Sequence, residues 1–172
     1  MTREFLLVDG YNIIFAWDKL AALANESLDF ARVKLAEILS DYGGITNEEI
    51  ILVFDAQKVA GGVGSVTRDG NITIVFTKEA ETADSYIERT VANIPKRYAV
   101  RVATSDSLEQ AIIMGHDARR ISALAFQREV ETTRENIRER FVRNRPVKNN
   151  MLLDNLDKET ANLLEQMRRS KG

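Results

Sequence analysis

Short unbroken apolar runs alternate along this chain with longer stretches in which apolar residues recur every three or four positions. Phe5-Leu6-Leu7-Val8, Ile50-Ile51-Leu52-Val53-Phe54, Ile72 to Phe76 and Ala99 to Ala103 are of strand length. Runs that are apolar throughout suit strands covered on both faces of a parallel sheet. Leu28, Ala31, Leu35, Ile38, Leu39 and Tyr42 keep helical spacing, which predicts a helix over 27–42 stopped by Gly43-Gly44. Ala83, Ile87, Val91 and Ile94 predict a second helix, capped by Thr82 and ended by Pro95. Further on, the pattern predicts a helix from Ser107 to Met114, a short strand around Arg120-Ile121, and a long helix from Ser122 to about Val142. The apolar positions of that long helix, Leu124, Val130 and Ile137, are sparse enough that much of it faces water. Two stretches carry no periodic signal: Tyr11 to Trp17 reads as a connection, and Gln57 to Asn71, centred on Gly61-Gly62-Val63-Gly64, as a flexible loop.

Strands alternating with helices predict an α/β domain with a central, mainly parallel sheet over residues 1–145. Beyond Pro146 a polar linker leads to Leu152, Leu153, Leu156, Leu163, Leu164 and Met167, the apolar stripe of an amphipathic helix, so 146–172 is expected to be a separate extension. At 172 residues and 44% hydrophobic the chain buries one substantial core. No run approaches the roughly 18 apolar residues of a membrane span, and the N-terminus carries neither basic leader nor apolar signal core. The expectation is a soluble, cytoplasmic protein without a membrane partner.

Zero cysteines and a single histidine, His116, exclude disulfides and make a zinc site of the usual nitrogen and sulfur ligands untenable. A bound metal is therefore expected to be hard and oxygen-ligated, such as Mg2+ or Mn2+. The formal net charge of −2 is unevenly spread. Between Arg119 and Lys148 nine Lys/Arg face four acids, an excess of five positive charges that leaves −7 elsewhere. That stretch, including Arg119, Arg120, Arg138, Arg140 and Arg143, is either a solvated helix face or a phosphate-binding surface.

The candidate chemistry lies where strands end. Asp9, Asp55 and Asp106 each close a strand-like run, and the carboxyl ends of strands line the ligand crevice of an open parallel sheet. Asp84 falls in the first turn of the helix that Thr82 caps. Taken alone, it complements the helix dipole. Gathered on one rim, these carboxylates concentrate negative charge that a divalent cation compensates, an arrangement suited to metal-assisted phosphodiester hydrolysis. Asn12, Ser105 and Glu81 are placed to orient water or ligands. A phosphatase of the haloacid dehalogenase type would carry Asp where Tyr11 stands, and a receiver domain would add an acidic neighbour to Asp9; neither is present.

Val8-Asp9-Gly10-Tyr11-Asn12, Val53-Phe54-Asp55-Ala56, Glu81-Thr82-Ala83-Asp84-Ser85-Tyr86-Ile87-Glu88 and Thr104-Ser105-Asp106, in this order, resemble the NYN domains, a branch of the PIN-like nucleases, and in particular the bacterial YacP-like group. The resemblance spans about Phe5 to Phe141. It implies a PIN-like three-layer α/β/α sandwich and an Mg2+- or Mn2+-dependent endoribonuclease acting on single-stranded RNA; the YacP-like group further implies messenger RNA cleavage in association with the ribosome. By motif match Asp9, Asp84 and Asp106 are the acidic core and metal ligands, with Asn12 in support; Glu81, close to Asp84 in sequence, is expected as a further ligand. Some NYN nucleases carry another acid one turn after the third aspartate, where this chain has Gln110. The contrasting expectation is a PIN-like module that binds RNA or the ribosome through the basic stretch and cuts nothing.

Overall fold

The computed structural model describes residues 3–56, 63–105, 118–144, 160–163 and 165–166. Two compact units divide the chain, residues 1–135 and residues 136–172. The first contains a six-stranded sheet built from β1 (Glu4–Asp9), β2 (Glu49–Phe54), β3 (Ser65–Asp69), β4 (Ile72–Phe76), β5 (Ala99–Ala103) and β6 (Arg119–Ile121), in the order β3-β4-β2-β1-β5-β6. Every pairing is parallel except β3 with β4. Between β1 and β2 run α1 (Gly10–Ala16), α2 (Asp18–Glu26) and α3 (Leu28–Thr46); α4 (Ala83–Asn93) lies between β4 and β5, and α5 (Ala123–Arg143) follows β6.

Side-chain alternation along the strands sorts the core into two layers. Leu6 and Val8 of β1, Ile50, Leu52 and Phe54 of β2 and Ile72 of β4 pack with Leu35, Leu39 and Tyr42 of α3 and with Phe126 and Val130 of α5. Leu7, Val53, Val75, Val100 and Val102 face the other way, onto Ala83, Ile87 and Val91 of α4. The result is the expected α/β/α sandwich, with β1 at its centre and buried on both faces. No helix among the described residues is long and apolar enough to cross a membrane.

Four local expectations are corrected. The stretch Tyr11 to Trp17 is not an open connection: α1 starts directly at Gly10, with Asp9 as its N-cap, and α2 follows after Trp17, whose indole Nε1 donates to the Ala123 carbonyl at 2.8 Å. Gly43-Gly44 does not stop the long helix, which continues to Thr46. A Cβ on Gly43 would lie 2.8 Å from Ile50 Cδ1 and 2.2 Å from Asn71 Nδ2, so the glycine permits close packing against β2; Asn47, at φ 62°, adopts the left-handed conformation that ends the helix. The loop expected over 57–71 contains β3, hairpinned to β4 through Gly70 at φ 58°. All five β3 residues are exposed, so it carries no apolar alternation to read. Lastly, Leu124 is exposed, and α5 is held to the core through Ala123, Phe126 and Val130. The expected helix at 107–114 lies outside the described residues, as does most of the expected C-terminal helix, of which 160–163 and 165–166 are helical.

Candidate active site

Asp9 stands at the carboxyl end of the central strand, level with Val53 on β2 and next in register after the Val8–Ala103 pair on β5. Its side chain caps α1, Oδ1 accepting from the Asn12 backbone N–H at 3.3 Å. A carboxylate at a helix N-terminus satisfies an otherwise unused N–H and meets the positive end of the helix dipole. Glycine at position 10 lets the Phe54 ring pack directly against this turn. A Cβ at that position would sit 2.3 Å from the Phe54 ring.

Asn12 ties this turn to the neighbouring strand end. Its Oδ1 accepts from the Ser105 backbone N–H at 2.6 Å and also from the Ser105 hydroxyl. Thr104, fully buried, donates its N–H to the Ile121 carbonyl at 3.1 Å, so the end of β5 is fixed from both sides. Asp106 follows next in sequence and lies outside the described residues, as does Gln110.

On the other side of β1, the Thr77 N–H donates to the Phe54 carbonyl and its hydroxyl accepts from the Ala56 N–H, both at 3.0 Å, which joins the ends of β2 and β4 and fixes the position of Asp55. Asp55 was legible as a strand-end acid but is absent from the acidic core that the motif match implies. The structure puts it on the same rim as Asp9. Six residues separate Phe76 from Ala83, so α4 begins close to the carboxyl end of β4. Thr82 caps α4 through the Ser85 N–H at 3.2 Å, and Asp84 lies in the first turn beside Ala83, which is buried against the sheet. Asp9, Asp55 and Asp84 are each half-buried, held in place yet reachable from solvent.

Glu81 takes another role in this geometry: its Oε1 accepts from Arg89 at 2.6 Å, across nearly two turns of α4. Arg119 and Arg120 belong to β6 in the first unit, Arg119 exposed and Arg120 half-buried; Arg138, Arg140 and Arg143 are exposed on the part of α5 that belongs to the second unit. Among the described residues no group of three or more His, Cys, Asp or Glu is disposed to hold a metal ion. Asp9 and Asp84 nevertheless provide only hard oxygen donors at the ends of rigid elements, which is the donor chemistry magnesium or manganese takes.

A second polar cluster escaped sequence reading altogether. Arg101, on the opposite face of β5, donates to Glu48 at 3.1 Å, to Glu129 at 2.9 and 3.1 Å and to the Tyr42 hydroxyl at 3.0 Å, while Tyr42 donates to Glu129. Burial would raise the Glu129 carboxyl, but the hydrogen bonds from Arg101 and Tyr42 hold it below its usual value. Burial and the Glu129 contact push the Tyr42 phenol well above its ordinary range.

A family model described as the YacP-like NYN domain matches residues 6–169. A Bacillus subtilis (strain 168) protein named uncharacterized protein YacP is 41% identical over 140 residues, covering 80% of this chain and 81% of that protein. The crystal structure of Rae1 (YacP) from Bacillus subtilis is similar at TM-score 0.70 and 38% identity, covering 96% of this chain and 95% of the other. The W164L mutant of the same protein superposes at TM-score 0.70 and 35% identity, over 87% and 90% of the two chains.

Proposed function

The chain belongs to the YacP-like NYN domain family, a nuclease-type, RNA-related family, and from that premise we propose that it is a metal-dependent endoribonuclease. Its substrate in this reading is single-stranded RNA, in particular messenger RNA met on the ribosome. The observation that carries the reading is the rim itself: Asp9 caps α1 at the end of the central strand, Asp84 opens α4 near the same end of the sheet, and Asn12 clamps the segment that leads into Asp106.

In this proposal Asp9, Asp84 and Asp106 hold the cation and Asn12 sets the spacing between the strand ends that carry two of them. A bound magnesium or manganese ion would neutralise charge on the scissile phosphate and acidify an attacking water. Glu81 is assigned an outer role, because its pairing with Arg89 engages one of its oxygens. The exposed arginines Arg119, Arg138, Arg140 and Arg143, with Arg120, are assigned to the RNA phosphates, an attraction that weakens as salt rises.

Incubating the purified protein with end-labelled RNA and magnesium, with and without translating ribosomes, tests the proposal. Internal cleavage that chelation stops and fresh magnesium restores is the expected result. Products with 5′-phosphate and 3′-hydroxyl ends would indicate hydrolysis by water, whereas a 2′,3′-cyclic phosphate would indicate attack by the ribose hydroxyl and contradict the metal-water mechanism. RNA retention without cleavage under every condition would favour the non-catalytic module.

A further inference from the structure

Away from the aspartate rim, α3 leaves part of the sheet uncovered. It packs over β2 and β4, and beyond it a trough with a cavity volume of about 470 Å3 runs between the helix and the β4–β3 edge. The floor is apolar, formed by Phe54, Ile72, Ile74 and Phe76. Arg32 closes one end: its Nε donates to the Tyr11 hydroxyl at 3.0 Å, and its guanidinium lies 5.7 Å from the Tyr11 ring centre and 5.9 Å from that of Phe76. Along α3 the apolar surface climbs out of the trough through Val33, 58% exposed, to Phe30, 66% exposed, three residues earlier on the same side of the helix. Large apolar side chains open to water on the wall of an apolar groove mark a surface that gains by being covered.

The charge on this trough is one-sided. Among the described residues, Glu37 and Asp41 line the helix wall and Asp69 the strand wall, while the one cation of the lining, Arg32, is already engaged by Asp29. Asp41 and Asp69 form no ion pair with a described residue, and Glu37 has only an exposed contact with Lys34 at 3.2 Å, a pairing of little strength. Phosphate groups would be repelled from such walls. We propose that the trough docks an amphipathic helix of a partner protein whose apolar stripe lies on the Phe54–Phe76 floor and whose flanking lysines or arginines face Glu37, Asp41 and Asp69. A helix laid in a groove is a recurring mode of peptide recognition, and here it would continue the helical layer that α3 begins. The inference does not depend on the nuclease reading.

A synthetic leucine/lysine amphipathic helix of about four turns serves as the probe, beside a leucine/glutamate counterpart and a version with serine in place of leucine. Fluorescence anisotropy against the full chain should show the leucine/lysine helix binding at least about tenfold more tightly than either control. Reversing the walls with Glu37→Lys, Asp41→Lys and Asp69→Lys together should invert the preference toward the leucine/glutamate helix, with circular dichroism verifying the fold. Val33→Asp, at an exposed position, should weaken the leucine/lysine helix without disturbing the core. Equal binding of the two leucine helices, or a preference unchanged by wall reversal, overturns the proposal. So does sedimentation showing that the trough mediates association of two copies, or a loss of RNA affinity on wall reversal while the peptide preference is unaltered.

Discussion

Carboxylates converge on one guanidinium at one place in this molecule and stand at strand and helix ends at another, held by different means. Around Arg101, Glu48 and Glu129 converge on one guanidinium, with the Tyr42 hydroxyl closing the ring of hydrogen bonds. The two carboxylates share one guanidinium that the chain supplies, and the cluster joins α3, β5, α5 and the residue before β2. At the aspartate rim the anchors are instead helix N-termini: Asp9 accepts from the first turn of α1, and Asp84 sits in the first turn of α4. A helix dipole offsets a carboxylate only fractionally, worth about 0.3–1 kcal/mol, whereas a guanidinium brings a full positive charge and charge-assisted hydrogen bonds. The first cluster is built as a brace. The second is where, in the proposed function, a cation would bind.

Exchanging charge at each place should break the two differently. Asp9→Asn keeps a good capping side chain, so the fold should lose less than about 0.5 kcal/mol, while RNA cleavage should fall by a factor of about a hundred or more if the residue holds the metal. Arg101→Met should do the reverse, leaving turnover per folded molecule near wild type. The loss of stability should be about 2–3 kcal/mol, because two carboxylates are left without their cation, and solvent moderates the penalty. Thermal melts would register this as a Tm lowered by roughly 5–10 °C. Activity measured on the folded fraction separates the two effects. If Asp9→Asn melts early, or Arg101→Met abolishes cleavage while folded, the contrast fails.

The Arg101 network also shapes how stability varies with pH, a smaller effect. Glu129 has a folded-state carboxyl held below its usual value of 4.5. Its stabilisation is therefore complete above that unfolded value and lost as pH falls through the lower, folded one. Tyr42 behaves oppositely: its folded phenol titrates above the ordinary 10.0, so stability declines as pH rises past that point, when the unfolded chain ionises first. Glu129→Gln should flatten the acid side of a stability-versus-pH curve and Tyr42→Phe the alkaline side. Denaturant melts across pH measure both slopes. Unchanged curves in both variants would remove the network from the pH dependence.

How much of this was open to sequence reading follows from how each part is stabilised. β1, β2, β4 and β5 are apolar at nearly every position because helices cover the sheet, so their pattern was plain. The aspartates closing β1 and β2 were visible for the same reason: polar residues interrupt unbroken apolar runs only where the strand emerges. α1 is hard to read because it has seven residues and begins with a glycine; its signal is Asp9 at the cap position, whose side chain accepts from the backbone N–H of Asn12 three positions later. Gly43 misled because a close approach to Ile50, invisible along the chain, is what requires it. The Arg101 network joins residues 53 and 28 positions apart, with no local periodicity to announce it. Glu81 is legible only as an acid near Asp84, and the fold shows that Arg89 is within its reach.

If the rim is a site for a hard cation, Asp84 is the residue that reveals it, because a helix-dipole role and a metal role predict different things for the same substitution. Asp84→Asn preserves shape and removes one charge. Glu88→Gln, at an exposed position one turn further along α4, is the comparison. Manganese titration of the full chain, followed calorimetrically alongside RNA cleavage, is the measurement. A metal role predicts affinity weakened about tenfold or more and cleavage lost in Asp84→Asn, with Glu88→Gln close to wild type. Equal, modest losses of activity in both variants with manganese affinity unchanged would contradict it.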